Sequence, residues 1–210
     1  MFVTFEGVEG AGKSTQIALT EQWLREQGRE VLVTRQPGGC SLGLELRRLL
    51  LDARNTHIDP TAELFLYLAD RAQHVAEVIR PALAAGKTVL CDRYHDSTVA
   101  YQGYGRGLDV TRLVALGEMA TGGLAPDATI LLDLPVDIGL ARARGRNAQA
   151  GAAQSAGRFE AERLEFHQKV REGFLALAAR EPGRFHAVDD LGAADAVFGR
   201  VRQALRAHVA

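Results

Sequence analysis

The stretch Gly7-Val8-Glu9-Gly10-Ala11-Gly12-Lys13-Ser14 fits the pattern G-x-x-x-x-G-K-[ST] at every fixed position. It lies between a short apolar, β-rich run, Phe2 to Glu6, and a helical pattern from Lys13 to about Gln27 that Gly28 stops. Glycines at this spacing let successive backbone N–H groups turn toward one anion, and the helix N-terminus behind them adds partial positive charge. The segment from Gly7 to Thr15 therefore reads as a cradle for the phosphates of a nucleoside triphosphate. Lys13 is placed to reach the β and γ phosphates, and the Ser14 hydroxyl to ligate Mg²⁺.

Outward from this loop, strands alternate with helices. Strand patterns cover Val31–Thr34, Thr88–Cys91, Ala128–Leu134 and Phe185–Val188. Helical patterns cover Leu42–Leu51, Asp109–Thr121, Val136–Arg144, Phe159–Arg180 and Ala193–Ala207. Pro60–Ala85 reads as one long amphipathic helix with Leu64, Leu68, Ala72, Val75 and Ile79 on one face. The alternation predicts an α/β fold: a three-layer α/β/α domain with a five-stranded parallel sheet of the P-loop NTP hydrolase kind, its ligands at the carboxyl ends of the strands. No internal repeat is present, and one domain spans 1–210. Only Gly145–Gly157, rich in Ala, Gly, Gln and Ser, lacks periodicity; it reads as a mobile lid over about 145–158.

Bulk composition narrows the function classes. The 210 residues are 47% hydrophobic and 24% charged, as in a globular chain with a sizeable core. A net charge of −1 gives no global field for nucleic acid or a membrane surface, so neither is an expected partner. Cys40 and Cys91 form neither a disulfide framework nor a metal-type spacing, and Cys91 sits in an apolar run as a buried small residue. The N-terminus lacks a signal-peptide pattern, and a reducing cytoplasm is the expected location. Neither Asn55 nor Asn147 is followed by Lys-x-Asp, which argues against a guanine switch. A P-loop alone does not name a reaction, so the choice rests on an acceptor site.

Three further segments supply one. They are Thr34-Arg35-Gln36-Pro37-Gly38-Gly39; Asp92-Arg93-Tyr94 with Ser97-Thr98 and Ala100-Tyr101-Gln102-Gly103; and Tyr67 with Arg71, one helical turn apart. Together with the P-loop, in this order and over nearly the whole chain, they resemble the thymidylate kinases, whose patterns are T-R-E-P-G-G, D-R-Y and S-[ST]-x-A-Y-Q-G. The resemblance implies that Glu9 lies near the acceptor sugar and phosphate, that Arg93 and Arg47 hold the acceptor phosphate, and that Asp92 either acts on Mg²⁺ through water or only braces Arg93. It further implies that Tyr67 stacks on thymine, that Arg71 hydrogen-bonds the thymine carbonyl edge, and that Ser97, Thr98 and Tyr101 line the base and deoxyribose. Gln102 either bonds the sugar or braces the loop. Gln36 and Pro37 belong to a loop over the acceptor, where a cis bond at Pro37 is compatible.

On the donor side, Arg158-Phe159-Glu160 is similar to the family's D-R-[FI]-E. The P-loop carries no arginine at its variable positions, so the resemblance implies the bacterial arrangement, with a catalytic arginine in the lid: Arg158, or Arg146 in its place. Arg142 matches a residue that packs on adenine. Two departures stand out: the family's T-R-E-P-G-G glutamate is Gln36, and the lid aspartate before arginine is Gly157, so a carboxylate brace for Arg158 is either missing or comes from Glu160 or Glu162. The implied reaction is phosphorylation of dTMP to dTDP by ATP with Mg²⁺, a step toward dTTP, in a homodimer. Catalysis would rest on Lys13, Glu9, Arg93 and Arg158.

Overall fold

The structure is a computed structural model that describes residues 1–149 and 158–209, without the side chains of 146–149. Strands β1 (Phe2–Glu6), β2 (Val31–Arg35), β3 (Thr88–Asp92), β4 (Ala128–Asp133) and β5 (Phe185–Asp189) lie in the order β2-β3-β1-β4-β5. Every pairing is parallel. Such strands are covered on both faces, which is why β1 and β4 read as near-continuous apolar runs rather than as alternating ones. The chain runs from β1 out to β2, returns to β3, and then crosses to β4 on the opposite side of β1. The order therefore reverses at β1, and the crevice for ligand opens at its carboxyl end.

Helices α1 (Lys13–Glu26) and α9 (Ala194–Val209) pack on one another, and their Ile17, Leu24, Val197, Val201 and Leu205 share a core with Val3, Phe5, Leu90 and Ile130. The alternate β residues Phe2, Val89 and Cys91 pack instead against Val75, Ile79 and Ala82. Neighbouring residues of one strand thus enter different clusters, as a covered parallel sheet requires. The remaining helices are α2 (Ser41–Leu51), α3 (Pro60–His74), α4 (Arg80–Ala84), α5 (His95–Thr98), α6 (Val110–Thr121), α7 (Val136–Gln149) and α8 (Leu164–Arg180).

Three expectations change. The run from Pro60 is not one α-helix: a π turn at Val75–Ile79 separates α3 from α4. Pro81 has no N–H to donate and crowds the preceding turn, and a widened turn just before it accommodates that defect. Ala72 is exposed, and buried Arg71 takes the place between Leu68 and Val75. Residues 159–163 are turns, with α8 starting only at Leu164, because the Phe159 ring enters an aromatic cluster with Tyr101 and Phe166. Finally, α7 continues to Gln149 through Gly145, carried by good helix formers on both sides. The rest of the lid at 150–157, its mobility, the Arg146 side chain and Gly157 lie outside the described residues. Segment 95–105, where no element is expected from periodicity, is α5 followed by a π turn at Val99–Gly105.

Candidate active site

The site forms where β1 and β3 end side by side. Their register pairs Phe5 with Asp92, so the phosphate loop after β1 and Asp92-Arg93 after β3 emerge together. The loop is folded tightly. Gly10 has φ 76°, and a Cβ there would lie 2.0 Å from the Gly139 carbonyl oxygen. Conversely, a Cβ on Gly139 would lie 2.4 Å from the Glu9 carbonyl oxygen. Thus α7 packs directly on the loop, and Gly139 is a site residue that no motif announces. Lys13 Nζ donates to the Gly7 and Val8 carbonyls at 3.1 Å each. Burial, with the nearby Arg93 charge, pushes the Lys13 ammonium down to about 8, against the pull of Asp92, Glu9 and Glu6. Ser14 and Thr15 are exposed at the helix start.

Arg93 is the non-glycine residue with a left-handed backbone, φ 66°. Such a conformation persists only where surroundings over-determine it. Here Glu6, at the end of β1, supplies much of that constraint: its carboxylate accepts from Tyr94 N at 2.7 Å and from Ser97 Oγ at 2.5 Å. Burial and the Asp96 carboxylate push Glu6 up to about 7, despite Arg93 and these two hydrogen bonds. The Arg93 guanidinium donates to Gly7 O (3.0 Å), Ser97 Oγ (3.1 Å), Glu9 Oε1 (3.2 Å) and Tyr101 Oη (3.0 Å).

Glu9 is clamped from the other side. Tyr101 Oη lies 2.7 and 2.8 Å from its two oxygens, and the buried His167 Nδ1 stands 3.5 Å from Oε2. Burial alone would raise the Glu9 pKa; His167, Arg93, Lys13 and Tyr101 together outweigh it and hold the pKa at about 2. Glu9 is therefore a permanent anion at neutral pH. His167 lies on the same buried helical spacing as Val170 and Phe174, where the sequence signals only core.

The acceptor-side residues gather on α3 and α5. Arg71, buried, donates to Gln36 Oε1 (2.8 Å), Thr98 Oγ1 (2.9 Å) and the Tyr94 carbonyl (2.9 Å). The Gln36–Pro37 bond is cis, and Arg47 donates to the Pro37 carbonyl at 2.8 Å. Tyr67 is half-buried, its ring 6.4 Å from Phe159. Asp92 Oδ1 is buried with no hydrogen-bond partner among the described residues. On the donor side Arg142 pairs with Asp190 at 2.6 Å, and a Cβ on Gly12 would lie 2.9 Å from Asp190 Oδ1, so this pair borders the phosphate loop.

Four of the residues that the sequence directs to substrate also have protein partners. Ser97 bridges Glu6 and Arg93. Gln36 is bonded at both ends, to Arg71 and to His74. Gln102 donates its amide N–H to Glu63 at 2.8 Å, a loop-bracing contact that leaves its amide oxygen available to a ligand. Arg158 is buried and donates to Glu63, a carboxylate that the sequence does not point to, while Glu162 pairs with Arg106 at 2.6 Å.

A family model described as thymidylate kinase matches residues 5–198. The chain is similar to the thymidylate kinase of Solidesulfovibrio magneticus, 64% identical over 197 residues and covering 94% of each chain. It is 58% identical over 206 residues to that of Nitratidesulfovibrio vulgaris, covering 98% of this chain and 96% of the relative. Among solved structures it is similar to the crystal structure of thymidylate kinase from Ehrlichia chaffeensis, with 32% identity, a TM-score of 0.79 and 98% of both chains covered.

Proposed function

The chain belongs to the thymidylate kinase family and phosphorylates dTMP with ATP as donor, and from that premise we propose how its residues share the work. The observation that carries the proposal is the junction of the two strand ends: Arg93 bonds both the Gly7 carbonyl and Glu9 of the phosphate loop. A donor held on the loop's backbone N–H groups and Lys13 would thus face an acceptor phosphate held by Arg93 and Arg47. The phosphate of dTMP is largely doubly ionised near pH 7, so transfer in line needs no general base. Positioning and charge neutralisation carry the catalysis. Glu9, permanently ionised, serves as an acceptor for the sugar or for hydrated metal and not as an acid.

Mg²⁺ fits the residues present. The buried Asp92 Oδ1, without a partner among the described residues, would accept from water on the ion, and Ser14 offers an exposed hydroxyl at the loop's helix start. When bound, the ion would neutralise charge between the β and γ phosphates. Tyr67 stacks on thymine, Arg71 and Thr98 read its edge, and Tyr101, fixed between Glu9 and Arg93, walls the place of a 2′-hydroxyl. Arg142 with Asp190 borders the adenine end. Arg158 can act on the transferring phosphoryl group only by leaving Glu63.

We also infer a homodimer. Phe65, Ala69 and Ala72 form an exposed stripe on the face of α3 turned away from Leu64, Leu68 and Arg71, and Val114 and Met119 of α6 are exposed as well. Free, buried Cys40 and Cys91 favour a reducing cytoplasm. The reaction is tested by coupled ADP release with ATP and a panel of acceptors. Turnover is expected with dTMP and not with AMP, GMP or thymidine; turnover independent of dTMP would overturn the reading.

A further inference from the structure

Arg71 lies at the centre of a hydrogen-bond chain that the reaction itself does not use. A guanidinium can only donate, so the Gln36 atom 2.8 Å from Arg71 Nε is the amide oxygen. The amide nitrogen then faces His74 Nδ1 at 3.0 Å and donates to it. His74 Nδ1 is therefore unprotonated, its proton sits on Nε2, and Nε2 donates to Thr34 Oγ1 at 2.7 Å. Each link fixes the orientation of the next, from β2 through the Gln36–Gly39 loop to α3.

Packing holds the chain in place. A Cβ on Gly39 would lie 2.2 Å from His74 Nε2, so the ring rests directly on the loop backbone. Asp70 Oδ1 accepts from Gly38 N at 2.9 Å, a second tie between α3 and the same loop. Gln36, His74 and Arg71 are all buried. The charged groups facing the ring are Arg71, one helical turn back, and Glu77, three residues on. Burial and Arg71 push the His74 imidazole down to about 4, against Glu77, which agrees with the neutral tautomer that the hydrogen bonds demand.

We propose that Gln36 and His74 form a positioning pair that holds Arg71 in one orientation toward the base of dTMP, and that the neutral amide at position 36 makes this hold insensitive to pH across the neutral range. The proposal rests on the reading of Arg71 as the thymine-edge contact. Three of the five Arg71 N–H groups are spent on Gln36, Thr98 and the Tyr94 carbonyl, which leaves two for a ligand and permits no rotation without breaking a bond. A carboxylate at position 36 would bind Arg71 as well, but it could accept from His74 only if the ring carried a second proton. The site would then share a titrating proton.

The test combines kinetics with nitrogen-15 NMR of the histidine rings. In the unsubstituted protein, His74 keeps the proton on Nε2 without titrating from pH 6 to 8.5, and KM for dTMP shows no His74-linked inflection. Gln36→Leu raises KM for dTMP by roughly tenfold or more, with kcat within about threefold. Gln36→Glu restores KM, and a pH-dependence of KM appears that follows the newly titrating His74. An Nδ1-protonated or freely titrating His74 in the unsubstituted protein overturns the pair without any variant. Arg71→Ala separates the two readings. If it raises KM for dTMP while Gln36→Leu does not, the positioning pair alone fails; if it leaves KM unchanged, the assignment of Arg71 fails and the pair with it.

Discussion

At the scale of single residues, the charge state of Lys13 sets a pH limit that can be measured. Its ammonium must be protonated to hold phosphate, yet burial and Arg93 bring it down to about 8 in the ligand-free site. As pH rises through that value the free enzyme loses the cation, and kcat/KM reports free-enzyme groups. We expect kcat/KM for ATP to be level below pH 7.5 and to fall about tenfold per unit well above pH 8; a level profile to pH 9.5 contradicts this. Arg158 is tested by kcat. Removal of a transition-state arginine costs roughly a thousandfold or more, whereas removal of an anchor for the lid's return costs far less. With Glu63 as its buried partner, Arg158→Ala distinguishes the two: a loss below about tenfold assigns Arg158 to anchoring. The sequence shows Lys13, Arg93 and Glu9 because a phosphate loop and a strand-end Asp-Arg-Tyr are local backbone devices. It does not show Glu6, Glu63 or His74, because their partners lie 88, 95 and 38 residues away in the chain. A lone buried glutamate or histidine carries no local signal, and only the fold makes it polar-satisfied rather than destabilising.

At the scale of elements, the strands are legible to within a residue because buried parallel strands are bounded apolar runs. The helices are legible where they run unbroken, but neither the split after His74 nor the segment at 95–105 is. Both π turns follow site residues: one begins after His74, and the other contains Tyr101 and Gln102. A π turn changes the facing of everything after it, and periodicity at 3.6 residues cannot register that shift. Ala72 lies before the π turn and has another cause: repeated steps of four residues from Leu64 drift about 40° each on a 3.6-residue helix, so Ala72 has turned outward and Arg71 takes the buried position. Contact between elements is also invisible in sequence, and Gly139 provides its test. The mutual approach of Gly10 and Gly139 leaves no room for a side chain. Gly139→Val should displace the phosphate loop against α7, costing about 1–3 kcal/mol of stability in urea unfolding and raising KM for ATP at least tenfold. Gly145→Val serves as a control, since a Cβ there meets nothing within 4 Å. Equal effects of the two substitutions would mean that the close packing does not set loop geometry.

At the scale of the whole molecule, α3 joins the acceptor site to the exposed apolar stripe. One face carries Leu64, Leu68 and Arg71 inward; another presents Phe65, 56% exposed, with Ala69 and Ala72, and Met119 of α6 is 75% exposed. Small residues flanking one large aromatic suit the close approach of a second helix, and a two-fold axis presents the same patch twice. With a net charge of −1, little long-range repulsion opposes such self-association. Burying one phenylalanine stabilises by about 1.5–3 kcal/mol, and a two-fold interface contains two copies. Phe65→Glu removes both and brings two carboxylates to the same apolar surface, so the dimer dissociation constant should rise at least roughly a hundredfold. Light scattering coupled to size-exclusion chromatography should then report a monomer at micromolar concentration, against the dimer expected of the unsubstituted chain. Because Tyr67 and Arg71 stand on the opposite face of the same helix, the monomer should also bind dTMP more weakly in proportion to the order α3 loses. A Phe65→Glu protein that remains dimeric would place the interface elsewhere; one that becomes monomeric with unchanged KM for dTMP would show that α3 is rigid without its partner.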